Sequence, residues 1–245
     1  MNIRRFTIVC RTDRSSAGTS IAVAADLHAR DGQIAAKQLA DIRPDIICVP
    51  GDIMQSTDRF SVRECFNKNG LEFLQKCRDI APVYYSIGNH ERGMTPENRS
   101  ILADAGITLL DNTWVPFRSL KIGGLSSGYG SDIPKQRNTP PPDTSFVRKF
   151  ALQDGFKLLL CHHPEYWPEY IRDTDIDLTL SGHAHGGQWQ IPFTNQGIYA
   201  PGQHLFPKYT SGVYENRLAV SRGMANTVCI PRFFNPCELL ILELV

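Results

Sequence analysis

The stretch IAVAADLHARDGQIAAKQLADIRPDIICVPGD, Ile21 to Asp52, decides how this chain folds. It opens on an apolar run, Ile21–Ala25, and closes on another, Asp45–Val49. Each is short and uninterrupted, as in a strand covered on both faces. Between them, Gly32–Ile42 sets Ile34, Ala35, Leu39 and Ile42 near one helical face, and Pro44 stops the helix. Strand, helix, strand at this spacing predicts parallel strands joined by a crossover helix, an α/β arrangement. Both strands run straight into polar residues: Asp26-Leu27-His28 after the first, Gly51-Asp52 after the second.

The same rhythm continues downstream. A helical stretch is expected from about Asp58, as N-cap, to Ile80, broken near Gly70. Pro82–Ile87 is a third strand. Thr95-Pro96 supplies a cap and a first helical position for a helix reaching about Ala105. The middle changes character: Ile107–Leu110, Thr113–Phe117 and Leu120–Leu125 are short strands at hairpin spacing. Gly128–Pro142, with four prolines, is expected to be an excursion over the surface. Phe156–Cys161 and Leu178–Leu180 are strands again, and Tyr214–Val220 and Leu239–Leu244 are expected to close the chain as antiparallel strands. No repeat and no linker interrupts the pattern. The expectation is one domain over residues 1–245, with residues 1–20 forming an edge strand and turn.

Composition narrows the function. Lys plus Arg number 26 and Asp plus Glu 25, so no global basic field is available to hold nucleic acid, although a local basic patch is not excluded. No apolar run approaches the roughly 18 residues that span a bilayer. Arg4-Arg5-Phe6 looks like the start of an export signal, but Thr7–Cys10 is too short an apolar run to complete one. Seven cysteines, odd in number and without a C-x-x-C, fit free thiols in a reduced, cytoplasmic protein.

The chemistry sits at the strand ends. Five apolar runs end in Asp26-Leu27-His28, Gly51-Asp52, Gly88-Asn89-His90-Glu91, His162-His163-Pro164 and Gly182-His183-Ala184-His185-Gly186-Gly187. Six of the seven histidines lie in these segments. In open α/β sheets, ligands bind outside the carboxyl ends of the strands. The alternate histidines of Gly182–Gly187 project to one side of an extended chain. Asp26, His28, Asp52, Asn89, one of His162 and His163, His183 and His185 make seven candidate ligands. That is too many for one four-coordinate ion and right for two that share a carboxylate. With no thiolate cluster, carboxylate, imidazole and amide oxygen suit Mn²⁺, with Fe²⁺ and Zn²⁺ as alternatives. Such a pair clamps a phosphorus centre for in-line attack by the water between the ions.

In order and strand placement these segments resemble the calcineurin-like metallophosphoesterases. The longer Gly182–Gln188 segment, Ser221-Arg222-Gly223 and Pro231-Arg232-Phe233 are similar to the phosphodiesterase branch of the bacterial YaeI and YkuE proteins. The resemblance runs from about Ala24 to the C-terminus. It implies a four-layer α/β/β/α sandwich with mixed sheets. It also implies Asp26, His28 and His185 at one ion, Asn89, His162 and His183 at the other, and Asp52 between them. His90 would contact the phosphate and protonate the leaving oxygen. His162 is preferred to His163 on the family's His-x-Pro spacing, which leaves His163 behind the ligands. Many relatives carry an Asp three residues after the bridging Asp to orient the catalytic histidine. Here that position is Gln55, with Asp58 or Glu91 as substitutes.

The expected function is metal-dependent phosphodiester hydrolysis. Arg92, Gln188 and Arg222 are the candidate substrate contacts, and Arg232 is a further phosphate partner. Trp189, Phe193, Tyr199, Phe206 and Tyr209, with Lys208 nearby, either cover a sheet edge or wall a pocket for a nucleoside or lipid end. The partner is a small-molecule or lipid-linked phosphodiester; nucleic acid and an obligate protein partner are not expected, and peripheral contact with the inner face of the membrane is a variant of the cytoplasmic reading. Two rivals remain. One is a pyrophosphatase on a UDP-sugar lipid precursor; the other is a non-catalytic scaffold, against which the full ligand set argues.

Overall fold

In a computed structural model of the chain, describing residues 1–10, 14–55, 69–91, 93–129, 139–194, 196–226 and 229–245, the apolar runs pair into two six-stranded sheets. The first contains β1 (Asn2–Ile8), β2 (Ser20–Val23), β3 (Ile46–Val49), β4 (Val83–Ser86), β5 (Thr108–Leu110) and β14 (Glu238–Leu244), in the order β1-β14-β2-β3-β4-β5. From β2 to β5 all pairs are parallel; β14 runs antiparallel to β2 and parallel to β1. The second contains β6 (Thr113–Phe117), β7 (Leu120–Leu125), β8 (Phe156–Cys161), β9 (Leu178–Ser181), β12 (Gly212–Tyr214) and β13 (Leu218–Val220), in the order β12-β13-β9-β8-β7-β6. A two-stranded ribbon of β10 (Tyr199–Ala200) and β11 (His204–Leu205) stands apart.

Alternation explains why the strands look continuously apolar. In β8, Phe156, Leu158 and Leu160 face the other sheet and meet Ile21, Val23, Ile46, Cys48, Leu240 and Leu242. Leu159 and Cys161 face the opposite way, onto α4 (Thr144–Ala151) through Phe146, Val147 and Phe150. On the first sheet, Ala22, Ala24, Ile47, Val49 and Tyr85 turn outward. They pack on α1 (Gln33–Ile42), α2 (Leu71–Arg78) and α3 (Pro96–Asp104) through Ala35, Leu39, Phe73, Leu74 and Leu102. The layers are therefore helix, sheet, sheet, helix, the fold expected above. Leu160 is fully buried at the centre, so Leu160→Ala would cost about 2–5 kcal/mol.

Local signals explain the element boundaries. Thr95 caps α3 by accepting from the Asn98 N–H, Asn98 returns the bond, and Pro96 takes the first turn. Asp143 caps α4, a helix that the proline-rich reading of its approach conceals. Three expectations change. β5 does not join a hairpin: it pairs parallel with β4, and only β6 and β7 form the antiparallel pair. Tyr214–Val220 is not one strand: it holds the end of β12, the turn at 215–217 with Glu215 and Asn216 at positive φ, and β13. β13 then lies parallel to β9. The expected helix from Asp58 is described only from Asn69 onward; Asp58, Cys65, Arg92 and most of the Gly128–Pro142 excursion lie outside the described residues. Among the described residues, no helix is long and apolar enough to cross a membrane.

Candidate metal centre

The carboxyl ends of β2, β3, β4, β8 and β9 deliver the seven expected ligands to one place. Five of them, Asp26, His28, Asp52, His183 and His185, sit at φ between 47° and 64°. Left-handed backbone is costly for non-glycine residues and persists where the surroundings impose it. Here it turns each chain sharply as it leaves its strand. Glycine makes the close approach possible: Gly51 has φ +99°, and a Cβ there would lie 2.7 Å from Gly88 Cα and 2.8 Å from His162 Nδ1. A Cβ on Gly182 would lie 2.5 Å from Asp26 Oδ2.

Two ligand groups result. In the first, His28 Nε2 is 3.3 Å from His185 Nε2, and Asp26 Oδ1 lies 3.8 Å and 3.6 Å from those nitrogens. In the second, His162 Nε2 is 3.1 Å from both Asp52 Oδ2 and Asn89 Oδ1, and His183 completes the cluster. Asp52 Oδ2 also lies 3.9 Å from His28 Nε2, so one carboxylate oxygen faces both groups. Carboxylates, an amide oxygen and imidazole nitrogens converge here, a donor set that fits two divalent ions.

The far nitrogens of the imidazoles are also held. His162 Nδ1 bonds the Pro50 carbonyl at 2.8 Å, so its proton is there and Nε2 is left for a metal. Gln55 Oε1 accepts from His28 Nδ1 at 2.9 Å, which does the same for His28. His185 is different: Arg232 Nη2 donates to its Nδ1 at 2.9 Å. A metal on His185 Nε2 requires the proton on Nδ1, and then Arg232 must turn away.

Electrostatics follow from this crowding. Burial opposes charge on Asp26 and Asp52, but the imidazoles of His185 and His28 around the first, and of His162 and His90 around the second, hold both carboxyls well below the usual range. Burial likewise lowers His162, yet Asp52 outweighs it and lifts the ring to about 10. Burial drives His185 down to about 4 and His183 well below the ordinary imidazole value.

The remaining expected residues divide. His90 N–H bonds Asp52 Oδ1 at 2.8 Å, and its Nε2 lies 4.0 Å from Asp52 Oδ2 at the partly open mouth of the cluster. Gln55 reaches both histidines, giving its amide N–H to His90 Nδ1 at 3.0 Å. His163 lies behind His162 and His183, bonded to Ser127 and Glu165. Gln188 spends its amide donors on Ile230 and Asn226; Arg222 gives its backbone N–H to Glu238, whose carboxylate lies 3.7 Å from the Arg222 Nε. Of the aromatic set, Tyr209 is buried; Trp189, Phe193, Tyr199 and Phe206 are exposed, so they do not serve as edge cover.

Glu91 has another role than the substitute for the missing Asp. Fully buried, it accepts from the backbone N–H of Asp52 and Gly88 at 2.8 Å and of Met54 at 2.9 Å. It ties the β3 and β4 loops together. Burial and the neighbouring Asp52 raise it to about 7. Its position directly after Gly88-Asn89-His90 was the available signal; its inward aim was not.

Comparison with known proteins agrees with this geometry. Residues 19–187 match the family model described as calcineurin-like phosphoesterase. The chain is 28% identical over 209 residues to the uncharacterized metallophosphoesterase YkuE of Bacillus subtilis, covering 82% of this chain and 68% of that protein. It is 27% identical over 214 residues to phosphodiesterase YaeI of Escherichia coli, covering 83% and 71%. A dimetal phosphatase from Danio rerio superposes with a TM-score of 0.48 at 13% identity, over 69% of this chain and 82% of that one. With the match spanning the strands that carry all seven candidate ligands, the chain belongs to the calcineurin-like phosphoesterases, a family of metal-dependent hydrolases.

Proposed function

We propose that the protein hydrolyses phosphodiesters with two divalent ions, Mn²⁺ first among the candidates. Asp26, His28 and His185 hold one ion; Asn89, His162 and His183 hold the other; Asp52 bridges. The observation that carries this reading is Asp52 Oδ2, which faces both ligand groups at once. When bound, the two ions supply positive charge for the phosphate oxygens and make a water between them acidic enough to attack phosphorus. Glu91 fixes the loops that aim Asp52 and Asn89. His90, its Nδ1 occupied by the Gln55 amide, directs Nε2–H toward the site, where it can hydrogen-bond the phosphate or leaving oxygen; it delivers a proton only from the doubly protonated ring, which the Gln55 amide disfavours. Among the described cysteines, Cys10, Cys48, Cys77 and Cys161 are buried, as inert thiols in a cytoplasmic setting would be.

One observation favours an amphiphilic substrate, either a lipid-linked phosphodiester or, on the rival pyrophosphatase reading, a UDP-sugar lipid. Nine of the fourteen exposed large apolar residues among those described fall between Trp189 and Phe234. Trp189 and Phe233, and Phe233 and Phe234, touch ring to ring. This surface adjoins the metal centre through Arg232. The test compares bis-p-nitrophenyl phosphate with p-nitrophenyl phosphate on Mn²⁺-loaded protein. Metal-dependent preference for the diester supports the proposal; preference for the monoester, or turnover indifferent to chelation, contradicts it.

A further inference from the structure

His183 belongs to two clusters. One joins it to Asp52 and His162; the other joins it to His163 and Glu165. On the second side, His183 Nε2 lies 3.7 Å from Glu165 Oε1. The same oxygen accepts from His163 Nδ1 at 3.2 Å and from Thr139 Oγ1 at 2.6 Å. Ser127 in turn occupies His163 Nε2 at 2.8 Å, so the ring cannot turn away from Glu165. The other carboxylate oxygen, Oε2, is buried with no hydrogen-bond partner. A buried ionised oxygen is expensive to leave unpaired.

The four candidate imidazole ligands therefore differ on their far sides. His162 meets a backbone carbonyl, His28 a neutral amide, and His185 a guanidinium. Among the described residues, only His183 of the four has a carboxylate from outside the candidate ligand set within ion-pair distance. A carboxylate on the far nitrogen of an imidazole fixes the tautomer and raises the ligand's basicity. A cation there does the opposite.

We propose that Glu165 is a positioning residue that makes the ligand group of Asp52, Asn89, His162 and His183 the tighter of the two metal sites, so that it fills first. Glu165 holds the His183 proton on Nε2 and turns Nδ1 to the metal. Thr139 and His163 lock the carboxylate in that pose. Arg232, on His185, keeps the opposite site weaker. The inference rests on the two-ion reading above and adds an order of loading to it.

The test is Mn²⁺ titration followed by electron paramagnetic resonance, which needs no substrate. Asp26→Asn isolates the His183 side and Asn89→Ala weakens it, which assigns each affinity. Glu165→Gln keeps size and removes charge; it is expected to weaken the His183-side site by about 10–100-fold. The other site should keep its affinity to within about threefold, on the ordinary scale of an untouched ligand set. Thr139→Val, a milder change, should lower the same site selectively by a smaller factor, and it decides the matter if Glu165→Gln does not fold. Equal losses at both sites, an unchanged tight site, or first loading on the Asp26 side would overturn the proposal. Wild-type protein binding fewer than two ions would instead overturn the two-ion reading before any variant is made.

Discussion

Gln55→Glu should change which leaving groups this enzyme expels. Gln55 spans two imidazoles, its oxygen 2.9 Å from His28 Nδ1 and its nitrogen 3.0 Å from His90 Nδ1. The amide cannot be reversed while His28 Nε2 serves a metal, because its N–H would then face the His28 Nδ1–H. His90 Nδ1 must therefore accept, and the doubly protonated ring, with N–H against N–H, is disfavoured. The wild type thus suits leaving groups that depart without a proton. Glutamate accepts from both rings and replaces a neutral hydrogen bond by a charge-assisted one, about 1.5–3 kcal/mol in favour of the protonated ring. That corresponds to roughly ten- to hundredfold on a step limited by proton delivery. The assay measures kcat on an alkyl phosphodiester and on bis-p-nitrophenyl phosphate, with metal content checked in each preparation. The alkyl ester should gain and the nitrophenyl ester should change little. In His90→Ala the same selectivity should appear as a loss, and Gln55→Asp should act in the direction of Gln55→Glu with a smaller gain. Equal changes on both esters, with two metals retained, would refute the role given to Gln55 and His90.

Further outcomes follow from the same geometry. Glu91→Ala strands three backbone N–H groups, at about 1–3 kcal/mol each, and should lower the urea midpoint and activity together; a variant of wild-type stability contradicts its structural role. His162 is raised to about 10 in the folded metal-free protein from 6.5, so its contribution to stability is complete below pH 6.5 and fades as pH rises through 10. Metal-free protein should accordingly lose stability across that window by denaturant titration, and Mn²⁺ loading near pH 7 should release protons by calorimetry in buffers of different ionisation enthalpy; proton uptake would contradict it. Cys10, Cys48, Cys77 and Cys161 are buried, so a thiol reagent should leave at least these four of the seven cysteines slow in native protein, and non-reducing mass spectrometry should find no bridge.

The candidate ligands were legible because each follows an apolar run by one to five residues, and strand ends in an α/β sheet converge. The layers were legible for a related reason: runs such as Phe156–Cys161 are apolar on both faces only when both are covered. What escaped was decided by partners far away in sequence. Glu91 resembled a spare orienting acid until its three backbone donors were in place. Glu165, three residues beyond His162, owes its importance to His183 and Thr139. Arg232 was a phosphate candidate by charge, yet it points at the back of His185. The Tyr214–Val220 error came from a turn whose φ > 0 positions are Glu and Asn rather than glycine, which blurs two strands into one run.

The central claim is that Asp52 joins two metal ions. The most direct measurement is anomalous scattering from crystals of the Mn²⁺-loaded protein, with Asp52→Asn as its control. Two peaks roughly 3.5–4 Å apart on either side of Asp52 Oδ2 are expected, and at least one should vanish in Asp52→Asn. A single peak held by only one of the ligand groups, or two peaks unchanged in the variant, would contradict it.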